Sequence, residues 1–134
     1  MKQVITFGVV SKNKPLIDRR HLLAKQKRIN RQYAEKNNLE IVSEVYGYTN
    51  NGRVYDTDLI QNLGRLMIKK GVYSVVIASI DSVFSTNYDL DMVIQKFLWN
   101  KEELISVEEG VLTTGSLEDI ISPSFVPDNR KAGV

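Results

Sequence analysis

Two short runs in this chain are apolar at almost every position. One is Val4-Ile5-Thr6-Phe7-Gly8-Val9-Val10, and the other is Tyr73-Ser74-Val75-Val76-Ile77-Ala78-Ser79-Ile80. Strands buried on both faces read this way, and they belong to parallel sheets covered by helices on both sides. The intervening sequence supplies the helices. Leu22, Gln26, Ile29 and Tyr33 recur at helical spacing, with Asp18 a candidate N-cap and Asn37-Asn38 a stop. Leu39 to Tyr46 alternates apolar and polar, which predicts a half-buried strand. A loop over Tyr48–Arg53 follows, with Asn51-Gly52 as its turn signal.

Asp56 or Thr57 can cap a second helix carrying Leu59, Ile60, Leu63, Leu66 and Met67, which Gly71 would end. Thr86 and Asp89 are spaced as a capping box before a helix striped with Leu90, Val93, Ile94, Phe97 and Leu98. Glu103–Val107 predicts a fourth strand, Gly110–Gly115 a loop, and Ser116–Ile121 at most a short helix. The domain should span residues 1–121, with an extended tail over 122–134.

This alternation implies right-handed crossovers and an α/β fold with a mostly parallel sheet of four to five strands. In such sheets ligands bind beyond the carboxyl ends of the strands. Ser11, the Tyr46–Gly52 loop, Asp81–Thr86 and Glu108-Glu109 should therefore gather at one rim.

Composition narrows the function classes. The chain has 134 residues, no cysteine and one histidine, His21. One domain with one core is expected, without disulfides, and with neither a metal site nor a cofactor. Asp89-Leu90-Asp91 resembles a carboxylate pair for Mg²⁺ but is better explained by a helix N-terminus. Trp99 falls on a helix stripe and reads as core or interface. No apolar run approaches the roughly 18 residues that cross a bilayer, and Met1-Lys2-Gln3 leads straight into a strand, so a cytoplasmic protein is expected. The net charge of +2 is unevenly placed. Lys12, Lys14, Arg19, Arg20, Lys25, Lys27, Arg28 and Arg31 face one acid, Asp18, whereas acids dominate from Asp81 to Asp128. The basic half could attract phosphate. It also reads as a solvated helix face, and the acidic half would repel DNA.

Phe7-Gly8-Val9-Val10-Ser11 resembles the opening motif of the serine recombinase (resolvase–invertase) catalytic domain, in which an aromatic, a small residue, Arg and Val precede the nucleophilic serine. Gln26 matches a glutamine of that family's first helix, and Tyr33–Val42 is similar to its helix-to-strand passage. Ile80-Asp81-Ser82-Val83-Phe84-Ser85 aligns with its Leu-Asp-Arg-Leu-x-Arg, and Glu109–Thr114 with its late acidic-Gly-Ile segment. The resemblance covers Val4 to about Gly115 and implies a three-layer resolvase-like fold.

The departures fall on the chemistry. Where the family has arginines, this chain has Val9, Ser82 and Ser85, and near a fourth it has Asp56, with Arg53 close by. The acid of the loop after strand two is Tyr48 or Gly47. The family cuts DNA by attack of the serine on a phosphodiester, giving a phosphoserine link. One arginine at a phosphoryl transition state contributes about 10³–10⁵ in rate, or roughly 4–7 kcal/mol. Without these guanidiniums Ser11 is expected to be a vestigial nucleophile, with Asp81 in register beside it. An exposed serine at a strand end also serves as an ordinary loop or capping residue. Lys12, Arg19 and Arg53 are the candidate contacts to phosphate or DNA.

No long dimerising helix or helix-turn-helix pattern follows Ile121, so strand exchange and site reading are not expected of this chain. The expected role is that of a resolvase-like factor of a phage or mobile element, unable to cut DNA. It would bind another protein (a recombinase or regulator) or itself as a homodimer, with DNA contact weak and no membrane. The alternative is an active, divergent serine recombinase, and a phosphate or small-molecule binder is a third reading.

Overall fold

A computed structural model describes residues 1–50, 53–55 and 57–112, without the side chains of Leu98 and Trp99. Its elements are β1 (Lys2–Ser11), α1 (Leu16–Lys36), β2 (Leu39–Thr49), α2 (Asp58–Lys70), β3 (Ser74–Ile77), α3 (Ile80–Val83), α4 (Asn87–Trp99), β4 (Glu103–Ser106) and β5 (Gly110–Leu112). The strand order is β2-β1-β3-β4-β5. All neighbours are parallel except β4 and β5. The anticipated α/β sheet is thus present with five strands.

Period-two alternation along β1 builds the layers. Ile5, Phe7 and Val9 pack with Ile60, Leu63 and Met67 of α2 and with Leu90, Val93, Ile94 and Phe97 of α4. Val4 joins Val76 and Ile105 on the other face, where Tyr33 of α1 covers them. Burying both faces explains why β1 carries a single polar residue, Thr6, between Val4 and Val10. No helix among the described residues is long and apolar enough to cross a membrane.

Local chemistry moves several boundaries from where the sequence pattern put them. α1 begins after Pro15, not at Asp18. A proline at φ −56° lacks only an N–H that a helix start leaves unpaired, and Asp18 instead sits in the first turn, against the positive end of the dipole. β2 runs on to Thr49 because β1 pairs with it as far as Ser11↔Thr49, so Tyr48 and Thr49 are strand rather than loop. β3 stops at Ile77 because Ser79 caps the one-turn α3.

Gly110–Leu112, expected as loop, forms β5. Gly110 takes φ 94°, which side chains resist, and the Glu109 backbone N–H donates to Ser106 Oγ at 3.2 Å to close the return. Gly71 ends α2 at φ 66° as anticipated. Asn51-Gly52, Asp56, the Ser116–Ile121 segment, the boundary at 121 and the tail lie outside the described residues, as does the Trp99 side chain.

Candidate functional site

The chain winds from β1 to β2 on one side and returns to β3 on the other, so the strand order reverses between β1 and β3. That reversal opens a crevice at the carboxyl ends of the two strands. β1 and β3 pair only at Ile5↔Val75 and Thr6↔Val76, after which they separate. The backbone of β1 from Phe7 to Val9 then needs other partners. Two amides of α1 supply them. Gln26 Nε2 donates to the Val9 carbonyl at 2.7 Å, and the Val9 N–H donates to Gln26 Oε1 at 3.1 Å. Asn30 Nδ2 donates to the Phe7 carbonyl at 3.3 Å.

Gln26 also donates to the Ser82 carbonyl at 3.3 Å, tying β1 to α3 across the crevice. Gly8 makes this approach possible, since a Cβ there would collide with Gln26 Oε1 and stand 2.7 Å from the Tyr46 ring.

A pocket of about 420 Å³ fills the crevice. Val9, Val10 and Ser11 line it from β1, and Lys14, Leu22, Lys25, Gln26 and Ile29 from α1 and the turn before it. Ala78 to Ser85, except Ile80, and Glu108 close the opposite side. Ser11 and Asp81 are therefore brought together, as the sequence pattern anticipated. Ser11 Oγ accepts from the Asn13 N–H at 3.1 Å, which leaves its own O–H free to donate.

Lys12, Arg19 and Arg53 are not among the lining residues. The Lys12 backbone N–H donates to the Thr49 carbonyl at 2.7 Å. The Arg19 guanidinium lies over the Tyr48 ring at 5.6 Å. Lys14, Lys25 and Glu108 line the pocket in their place. Lys25 had a readable signal, because it shares a helix side with Leu22 and Ile29 at i−3 and i+4.

The positions where the resemblance leads one to expect arginine hold other side chains. Val9 is 3% exposed and packs in the α2–α4 core at the edge of the pocket. The Ser82 hydroxyl donates to the Ser79 carbonyl at 2.9 Å, and the Ser82 N–H donates to Ser79 Oγ at 3.1 Å. Ser82 is spent on holding α3. Ser85 is exposed at the mouth.

Carboxylates fix the rest of the rim. Asp89, 2% exposed, accepts from the Val54 N–H at 2.7 Å and the Tyr55 N–H at 2.6 Å. Its carboxylate anchors the segment before α2, and its own N–H donates to Thr86 Oγ1 at 3.1 Å. The anticipated capping box is thus only half made, and both Asp89 carboxylate oxygens accept from backbone N–H groups. Glu109 accepts from the Ile80 N–H at 3.0 Å and from the Ser106 hydroxyl.

On the α1 side, Arg31 grips Glu44 at 2.7 and 2.9 Å, and this contact holds the Glu44 carboxyl below its ordinary range. Burial raises the Tyr46 phenol, which bonds to Asn30 and Thr6. Among the described residues, no three His, Cys, Asp or Glu side chains cluster as metal ligands would.

The sequence matches no protein-family model and no curated protein. Its structure is similar to the N-terminal catalytic domain of TP901-1 integrase, at 19% identity and TM-score 0.71, over 99% of this chain and 100% of that one. A resolvase family site-specific recombinase from Streptococcus pneumoniae aligns at 21% identity and TM-score 0.72, over 99% and 90%. The C-terminal catalytic domain of ISC1926 TnpA, an IS607-like serine recombinase, aligns at 19% identity and TM-score 0.62, over 90% and 79%. The fold is therefore the resolvase-like fold of serine recombinase catalytic domains.

Proposed function

We propose that this resolvase-fold domain has a recombination-related role in which it does not itself cut DNA. It acts by binding a recombinase or regulator of the same phage or mobile element, or a second copy of itself. The observation that carries this reading is that, among the described residues, no arginine lines the pocket around Ser11. Guanidiniums present fixed paired donors to a phosphoryl group, whereas the ammoniums of Lys14 and Lys25 are point charges on flexible stems. Asp81 and Glu108 add negative charge where an incoming phosphodiester would need the opposite. A protein partner is supported by exposed apolar side chains at the same end of the sheet. Leu16 and Ile17 open α1, and Tyr88 opens α4, at 52%, 66% and 62% exposure.

The test is a nicked suicide DNA substrate that traps any phosphoserine link. No adduct is expected at high protein concentration. A covalent adduct that disappears in Ser11→Ala would refute the proposal. One observation favours a second reading, that of an active divergent serine recombinase exchanging strands through a phosphoserine intermediate: Lys14 and Lys25 line the pocket with Ser11. In that case an adduct would form, and Lys14→Ala and Lys25→Ala would lower its yield.

A further inference from the structure

The pocket beside Ser11 carries charges of both signs that do not neutralise one another. Lys14 and Lys25 stand on the α1 side, while Asp81 and Glu108 stand on the side of α3 and the β4–β5 turn. The ion pairs among the described residues are Lys2–Glu103 and Arg31–Glu44, so none of these four has a counter-charge within 4.0 Å. The apolar part of the lining comes from half-buried Leu22 and Ile29 and from the small exposed parts of Val83 and Phe84. At about 420 Å³ the cavity is at the small end of those that hold small molecules.

A phosphate would meet two carboxylates as well as two ammoniums there. A purely apolar ligand would leave all four charges unused. Separated charges of opposite sign with an apolar surface beside them fit a compact ligand that has its own two charges and one apolar arm.

We infer that this pocket binds a free α-amino acid with an apolar side chain. Its carboxylate meets Lys14, Lys25 and the free O–H of Ser11, and its ammonium meets Asp81 and Glu108. Its side chain lies against Leu22 and Ile29, the half-buried apolar residues of the lining. The inference rests on the reading that Ser11 no longer attacks phosphodiesters, since the same hydroxyl here serves as a donor.

The full chain is titrated with L-leucine and L-phenylalanine, following the melting temperature and the heat of binding. N-acetyl-leucine, leucinamide and inorganic phosphate are run alongside. The amino acids should raise the melting temperature at millimolar concentration. Each blocked form should bind about two- to fivefold more weakly, because each lacks one charge. Lys25→Ala and Asp81→Asn should weaken leucine binding by a similar factor with the unliganded melting temperature unchanged, as both side chains are exposed. No response to either amino acid, equal binding of the blocked forms, or tighter binding of phosphate than of leucine would overturn the inference. An adduct in the suicide-DNA assay would instead remove the parent reading, so the two failures are distinct.

Discussion

Replacing Gln26 by leucine tests the account of how the crevice is held open. Leucine keeps the approximate volume and removes three hydrogen bonds: one from the Val9 N–H, one to the Val9 carbonyl and one to the Ser82 carbonyl. Gln26 is 4% exposed and β3 has already diverged at Val9, so the two Val9 backbone groups are left without a strand partner. A buried backbone group stripped of its partner costs about 1–3 kcal/mol, and burying a more apolar side chain offsets about 1 kcal/mol. The net loss for the two Val9 groups is about 1–5 kcal/mol, a large share of the roughly 5–15 kcal/mol that stabilises a domain. For a chain of this size the melting temperature should fall by roughly 4–18 °C.

Urea unfolding of both proteins with a shared m-value gives the difference directly. A change below about 0.5 kcal/mol would mean that Gln26 does not carry the Val9 backbone, and the reasoning would fail. Gln26→Glu adds a second check. Its ionised carboxylate would face the Val9 and Ser82 carbonyls and so resist charging, which raises its folded pKa. The variant should therefore be most stable below the ordinary carboxylate range and lose stability as pH rises through the folded value.

Gly8→Ala should cost about 1–3 kcal/mol through collision with Gln26 and the Tyr46 ring, and the double variant with Gln26→Leu should show clear non-additivity by urea unfolding. Asp89→Asn should cost about 1.5–3 kcal/mol, because the Val54 and Tyr55 N–H groups go to different carboxylate oxygens and the amide turns one of these into a donor; hydrogen exchange should speed up at those two amides. Acid titration of stability should show a loss as pH falls through the depressed folded pKa values of Glu44, held by Arg31, and Glu103, held by Lys2. Glu44→Gln with Glu103→Gln should flatten that limb. Burial raises Glu102, so its contribution has the opposite sign: it is present in acid and lost as pH rises through the folded value, and Glu102→Gln should remove that slope.

The parallel core was legible because β1 and β3 are buried on both faces, and burial on both faces leaves an apolar run in the sequence. Gly71 was legible because a left-handed helix stop favours one residue type. β5 was not, since three residues at a sheet edge carry no period to detect. The start of α1 was missed because an aspartate in the first turn reads like a cap, whereas Pro15 fixes the entry by its own ring. Ser11 and Asp81 were found together because strand ends are fixed by topology. Lys14 was not, because a lysine in the turn before a helix looks the same in sequence whether or not a pocket lies beside it, and Lys25 was passed over although Leu22 and Ile29 share its helix side. The true commitments of Asp89 and Ser82 depend on backbone atoms at Val54, Tyr55 and Ser79, and no local pattern announces such partners.

The groups that shape the crevice are not the groups that phosphoryl transfer would require. Gln26 spans β1 and α3, Ser79 and Ser82 close α3 on itself, Glu109 caps Ile80, and Asp89 holds the segment before α2. Each is satisfied by backbone, so the cavity persists whatever lines it. The positions at which the resemblance places guanidiniums have mixed roles. Val9 adds to the core, Ser82 exchanges bonds within α3, and Ser85 stands at the mouth. The division between scaffold amides and lining charges separates fold from chemistry in this molecule. It also locates any change of function in the lining, at Ser11, Lys14, Lys25, Asp81 and Glu108.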